Sequence, residues 1–191
     1  MKVYTTAEAA KICGVAPSTV SKWFEQGRLK GYRVPGSEEK RIPLEYLYDF
    51  LKKHGMPLGE LENEMAKKVL IISQDKTLIN DLETTINLNS SFRAIIAELV
   101  ADAKNQIEKI IPDCIIVDFR AEQIAAIGFC QYLRNDFRFC KVIIGVLFAD
   151  DMFNNRLEHL EIAFRAVSPI DSFVVINKVS TLISQKKTCV Y

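Results

Sequence analysis

The chain has 191 residues, a formal net charge of +1 and an apolar content of 49%. That length suits two modest domains with real cores, and no apolar run approaches the ~18 residues of a membrane-spanning helix. Five scattered cysteines without a C-x-x-C pair, and only His54 and His159 as histidines, point to reduced thiols of a cytoplasmic protein with no metal site and no cofactor. The opening MKVYTTAEAAK has no continuous apolar stretch, so no secretion signal is expected.

The small net charge hides an asymmetry. Residues 1–57 hold 10 Lys and Arg against 6 Asp and Glu, whereas residues 58–191 hold 15 against 18. An anionic partner is therefore expected for the first part only.

In chain order, Thr5 and Glu8 form a capping box that starts a helix running to about Cys13, with Ala9, Ala10 and Ile12 inward. Gly14 makes a tight turn. A second helix opens at Pro17, where the missing N–H costs nothing, after Ala16 as a weak cap. Val20, Trp23 and Phe24 recur at helical spacing as its buried stripe, so Trp23 is read as core. Ser18, Thr19, Ser21 and Lys22 remain on the outer face. Gly27 stops the helix. A loop with Pro35-Gly36 at its tip follows, bearing Arg28, Lys30, Arg33, Lys40 and Arg41, while residues 25–26 and 38–40 read as solvated charge. A short polar helix followed by a basic wing suits double-stranded DNA: the helix reads base edges and the wing neutralises phosphate. A third helix runs from Leu44 to about Lys53 with Leu44, Leu47, Tyr48 and Leu51 inward. Residues 58–66 read as a linker, either a short connecting helix or a mobile segment.

From residue 67 on, aliphatic runs alternate with helical patterns. The runs are 69–72, 92–97, 114–117, 142–148 and 173–176; the helices are 76–88, 102–111, 122–135, 151–165 and 178–187. Asp150-Asp151 reads as a helix start. Unbroken β-branched runs imply strands buried on both faces, hence a five-stranded parallel sheet flanked by helices. The expected organisation is a small α-helical winged domain over 1–57, a linker over 58–66 and an α/β domain over 67–191.

Two resemblances sharpen this reading. Residues 3–53 resemble the excisionase-like branch of the MerR-type winged helix-turn-helix family. The matching positions are Tyr4-Thr5, Glu8-Ala9-Ala10, Gly14-Val15, Ser18-Thr19-Val20, Trp23, Gly27, Leu29, Arg33, Pro35-Gly36, Arg41-Ile42-Pro43 and Leu51. The family's wing reads PGGHRRI; here it is PGSEEKRI, one position longer and carrying Glu38 and Glu39. Residues 67–187 resemble the receiver domain of response regulators, of flavodoxin-like fold, through the strand pattern and Pro112-Asp113-Cys114-Ile115-Ile116-Val117-Asp118. The resemblance makes Asp118 the candidate phosphoacceptor, and Gly128 matches the glycine of the following helix. Three other expected features differ. Ser73-Gln74 stands where two carboxylates hold Mg²⁺, with Asp75 one place later. Leu147-Phe148 stands where a Ser or Thr ends the fourth strand. Ile176-Asn177, with Lys178 beyond, stands at the expected Lys-Pro. Phosphoryl transfer to a carboxylate needs a metal and a fixed ammonium, so the domain reads as a pseudo-receiver. Arg120 is open to two readings: a cation filling the metal position, or an exposed side chain.

The combined expectation is a non-enzymatic, cytoplasmic, bacterial sequence-specific transcription regulator. It binds double-stranded DNA through Ser18, Thr19, Ser21, Lys22, Arg28, Lys30, Arg33, Lys40 and Arg41. Its receiver-like domain serves a homodimer or another regulatory protein, through helices 151–165 and 178–187. One alternative is a two-component response regulator phosphorylated on Asp118. Another is a scaffold that binds no DNA.

Overall fold

A computed structural model describes residues 2–89, 91–149 and 158–188, and the chain divides into two compact units, residues 1–66 and 67–191. The first contains β1 (Val3–Thr5), α1 (Thr6–Cys13), α2 (Pro17–Glu25), β2 (Tyr32–Arg33), β3 (Lys40–Pro43), α3 (Leu44–Lys53) and α4 (Glu60–Met65). The Thr5 hydroxyl accepts from the Glu8 N–H at 3.2 Å while the Glu8 carboxylate accepts from the Thr5 N–H at 2.7 Å, so the capping box is formed. Gly14 closes α1 in the left-handed conformation, and α2 opens on Pro17 without a side-chain cap. The strands form an antiparallel sheet in the order β1-β3-β2, with Tyr4 opposite Ile42 and Tyr32 opposite Arg41.

Ala9, Ala10, Val20, Leu29, Ile42, Leu47 and Leu51 form the core of this unit. Trp23 packs against it, its ring 4.9 Å from that of Phe50. Ile12 lies at the surface instead of inward. Cys13, four residues after Ala9, takes the inward position, because residues i and i+4 share a helix face. Of the two forms left open for residues 58–66, the short helix is present as α4, docked on this unit. Leu61 is buried in the core, and Glu64 accepts hydrogen bonds from Lys2 Nζ at 2.5 Å and from the Tyr4 hydroxyl at 2.8 Å. One buried leucine in an acidic stretch is too weak a periodic signal to mark a docked helix.

The second unit contains β4 (Lys67–Ile72), α5 (Lys76–Asn87), β5 (Phe92–Ala97), α6 (Val100–Ile110), β6 (Cys114–Asp118), α7 (Gln123–Asn135), β7 (Ile143–Phe148), β8 (Phe164–Val167) and α8 (Ser172–Thr188). Its sheet runs β5-β4-β6-β7-β8 with every neighbouring pair parallel. Alternate residues feed two apolar layers. Leu70, Ile72, Ile115 and Val117 pack with side chains of α6 and α7; Val69, Ile71, Cys114 and Ile116 pack with those of α5 and α8. This is why the inner strands read as unbroken aliphatic runs. Gly145 of β7 makes room for the Phe164 ring, which any Cβ at that position would strike.

The last strand is not where the sequence pattern put it. Phe173 to Ile176 is the first turn of α8, and the fifth strand is Phe164–Val167. Val175, Ile176, Val179 and Ile183 form one buried stripe at helical spacing. The helix expected over 151–165 therefore ends differently: 158–160 form a single 3-10 turn and residues 164–165 belong to β8. Its remainder, with the Asp150-Asp151 start, lies outside the described residues, as does Cys189. The helix expected over 178–187 is the later part of α8. Among the described residues no helix is long and apolar enough to cross a membrane.

Removing the Trp23 ring deletes its packing on Phe50 and leaves a void behind α2. Trp23→Ala is expected to destabilise the first unit by about 3 kcal/mol, read as a lower urea midpoint for that unit. An unchanged midpoint would make Trp23 a surface contact residue.

Candidate nucleic-acid interface and acid pocket

The outer face of α2 is small and polar. Ser18 and Lys22 are exposed, and Thr19 and Ser21 are half-buried beside them. Past the end of α2 the chain is pinned by two N–H groups, of Arg28 at 2.9 Å and Leu29 at 3.1 Å, both donating to the Trp23 carbonyl. Leu29 plugs the core, so Arg28 and Lys30 on either side of it are held outward. Lys22, Arg28 and Lys30 make no ion pair among the described residues. Three free cations thus cluster on the helix and on the segment that follows it.

The wing is a hairpin of β2 and β3. Its tip is closed by Ser37 N–H donating to the Val34 carbonyl at 3.0 Å and by Val34 N–H donating to the Glu39 carbonyl at 2.9 Å. Its cations are engaged within the unit. Arg33 donates to Glu25 and to Glu38, each at 2.6 Å, and Arg41 donates to Glu39 at 2.6 Å. The Lys40 ammonium lies 2.7 Å from Glu25 and 5.6 Å from the centre of the Phe24 ring. Lys40, and after it Arg33, hold the Glu25 carboxyl below the usual carboxylate range. Glu25, Glu38 and Glu39 are exposed, as expected of solvated charge, and are also the counter-charges of the wing. The two extra glutamates of PGSEEKRI were the available sign of this.

In the second unit the end of β6 carries Asp118, which is only 6% exposed. Ser73 Oγ donates to Asp118 Oδ2 at 2.7 Å. Arg120 donates its Nε–H to Oδ1 at 2.9 Å and its Nη2–H to Oδ2 at 2.8 Å, and its backbone N–H adds a third contact to Oδ1 at 3.0 Å. The same Nη2 reaches Asp75 Oδ2 at 3.1 Å, while Asp75 Oδ1 accepts from the N–H groups of Thr77 and Leu78 and caps α5. Burial pushes the Asp118 carboxyl up, but the hydrogen bonds and charge of Arg120 together with the Ser73 hydroxyl outweigh it, and the net shift is downward. Of the two readings open for Arg120, the structure favours the cation that fills the pocket.

The residues do not fit Mg²⁺. A hard divalent ion requires several anionic oxygens, whereas Ser73 and Gln74 supply no carboxylate and a guanidinium already covers both oxygens of Asp118. Phe148 is buried with its ring 5.3 Å from that of Phe119 and offers no hydroxyl. With the fifth strand relocated, the residues at its end are Ser168-Pro169 rather than Ile176-Asn177. A serine therefore stands where the receiver resemblance places a lysine, and Lys178 lies within α8. Burial pushes the Cys114 and Cys130 thiols up, as befits inert core residues.

Residues 3–55 match the family model described as a helix-turn-helix domain. No curated protein matches the chain. Among solved structures, a two-component response regulator from Legionella pneumophila aligns with a TM-score of 0.56 at 24% identity, over 62% of this chain and 98% of that one. The chemotaxis response regulator CheY4 of Vibrio cholerae aligns with a TM-score of 0.55 at 14% identity, over 61% and 98%. A response regulator from Thermotoga maritima gives 0.55 at 16%, over 62% and 98%. The chain thus carries an N-terminal helix-turn-helix domain and a second domain with the receiver fold.

The ion pair sets a pH dependence. The Asp118 carboxyl lies below its ordinary value in the folded protein, so the pair contributes stability above that ordinary value and loses it as pH falls through the lowered one. In Arg120→Ala the guanidinium is lost and burial is opposed only by the Ser73 hydroxyl and the backbone N–H of residue 120. Asp118 is then expected to titrate above the usual carboxylate range, and the second unit to lose about 3 kcal/mol at neutral pH, recovering as the carboxyl protonates. Carboxyl NMR titration of wild type and variant reads both; an unshifted Asp118 would show that Arg120 does not hold it.

Proposed function

We propose that this chain is a bacterial, sequence-specific transcription regulator of the excisionase-like, MerR-related type. Its receiver-like domain works without phosphorylation, through dimerisation or contact with another regulatory protein. The observation that carries the first half is the small polar face of α2 set beside three unpaired cations, Lys22, Arg28 and Lys30. Helix α2 enters the major groove with Ser18, Thr19 and Ser21 at base edges, and the cations meet phosphate. The chain acts by binding, not by catalysis, and works in the cytoplasm, where its DNA is.

The second half rests on Arg120. A guanidinium on both oxygens of Asp118 supplies in permanent form the positive charge that a metal would supply on demand. One helix-turn-helix domain makes few contacts, so two copies are needed for useful affinity. The apolar side chains Phe173 and Val174, 65% and 47% exposed at the start of α8, suit that contact.

A genome-wide binding map of the full chain tests the central reading; enrichment at a shared sequence is expected, and its absence would leave the scaffold alternative. On an enriched duplex, Lys22→Ala and Arg28→Ala are each expected to weaken binding and to lower the log–log salt slope by roughly 1. Incubation with a small phosphodonor and Mg²⁺ is expected to leave the intact mass unchanged. A phosphorylated Asp118 would restore the response-regulator alternative. Phe173→Asp is expected to shift the full chain from dimer to monomer by analytical ultracentrifugation. A dimer that persists would place the interface elsewhere.

A further inference from the structure

The wing of the helix-turn-helix domain carries a tether to its own reading helix. Glu25 is the last residue of α2, and its carboxylate receives Arg33 from β2 and Lys40 from β3 at 2.6 and 2.7 Å. These pairs join the helix to both strands of the hairpin. Apolar contact supports them. The Lys40 ammonium lies over the Phe24 ring, and Gly31 lets the wing approach so closely that a Cβ there would strike the Arg41 carbonyl and press on the Phe24 ring. Lys40 is the least exposed of the wing cations, at 15%. Glu38 and Glu39 complete the neutralisation by pairing with Arg33 and Arg41. A wing charged in this way is nearly neutral as a unit, while Lys22, Arg28 and Lys30 keep their charge.

Resting on the DNA-binding reading above, we infer that Glu25 is a positioning residue that sets the wing against the reading helix and withholds Arg33 and Lys40 from phosphate. Non-specific grip is thereby held down. Binding depends more on base contacts from α2, and the wing acts as a spacer of fixed angle. An exposed ion pair contributes little to stability, so folding gains little from this arrangement. Its effect falls on how many phosphates the domain neutralises, which is a count that salt dependence reads.

The test uses the full chain and a mixed-sequence 20-base-pair duplex, with dissociation constants measured across a salt series. Glu25→Gln is expected to tighten binding and to steepen the log–log slope by about 1 to 2, one unit for each cation released to phosphate. Loss of a negative charge near DNA would tighten binding whatever its partners did. The same substitution is therefore made in an Arg33→Gln, Lys40→Gln background, where no steepening is expected. Equal steepening in both backgrounds, or none in either, overturns the inference. A second readout needs no DNA: amide exchange over residues 32–41 is expected to quicken in Glu25→Gln and to recover in part in Glu25→Asp. Unchanged exchange overturns the tether even where the protein binds duplex well. A wild-type chain that binds no duplex, with exchange quickened as expected, overturns the DNA-binding reading and leaves the tether as a purely structural clamp.

Discussion

A carboxylate at the end of a strand buried on both faces cannot stay ionised without a partner, and that constraint organises the second domain. Asp118 closes β6 in nearly dry surroundings, where isolated charge is costly. Arg120 answers it from two residues away, with a side chain long enough to turn back and cover both oxygens. Ser73 takes one remaining lone pair, and Asp75 takes the outer side of the guanidinium while capping α5. Four residues from two strand ends thus form a closed ionic circuit. A receiver used as a switch leaves this position open to a metal and a phosphoryl group. Here a guanidinium covers both oxygens of Asp118.

The same device appears in the first domain with a different outcome. Arg33, Lys40 and Arg41 are matched by Glu25, Glu38 and Glu39, all within reach of solvent. Pairs of this kind hardly affect folding, because water screens them and two long side chains lose freedom. They matter for what the surface presents to a polyanion. The sequence places nine polar or basic side chains in a DNA-facing role; the structure divides their cations into an unpaired set around α2 and a paired set on the wing. Net charge alone hid that division, since it counts a cation equally whether or not it has a partner.

What the sequence revealed depended on whether each signal was local. The capping box of Thr5 and Glu8, the start of α2 at Pro17 and the runs that became β4, β5, β6 and β7 are local patterns, and each appears where the pattern put it. The error at the fifth strand has a physical cause. β8 is only four residues, Phe-Arg-Ala-Val, with a charged residue in the middle, so it lacks the aliphatic pair that marks the other edge strand, β5. Phe173 to Ile176 makes the stronger run because two of its four residues are buried and two exposed at the start of a helix. Val179 and Ile183 held the correcting signal, since with Val175 they repeat every four residues. Of the wing pairs only the extra Glu38 and Glu39 left a sign in the sequence; Glu25 meets Arg33 and Lys40 only through tertiary structure.

The two domains therefore solve different problems with the same chemistry. In the helix-turn-helix domain, paired charge at the surface costs folding little and changes what a polyanion encounters. In the receiver fold, paired charge in the interior is part of folding itself, because removing either partner would strand the other. Charge matching at the surface is screened by water, so its effect lies in which cations remain free to meet phosphate. Charge matching around Asp118 is buried, with a bidentate guanidinium over both carboxylate oxygens. Matched charge thus serves surface presentation in one domain and the burial of a strand-end carboxylate in the other.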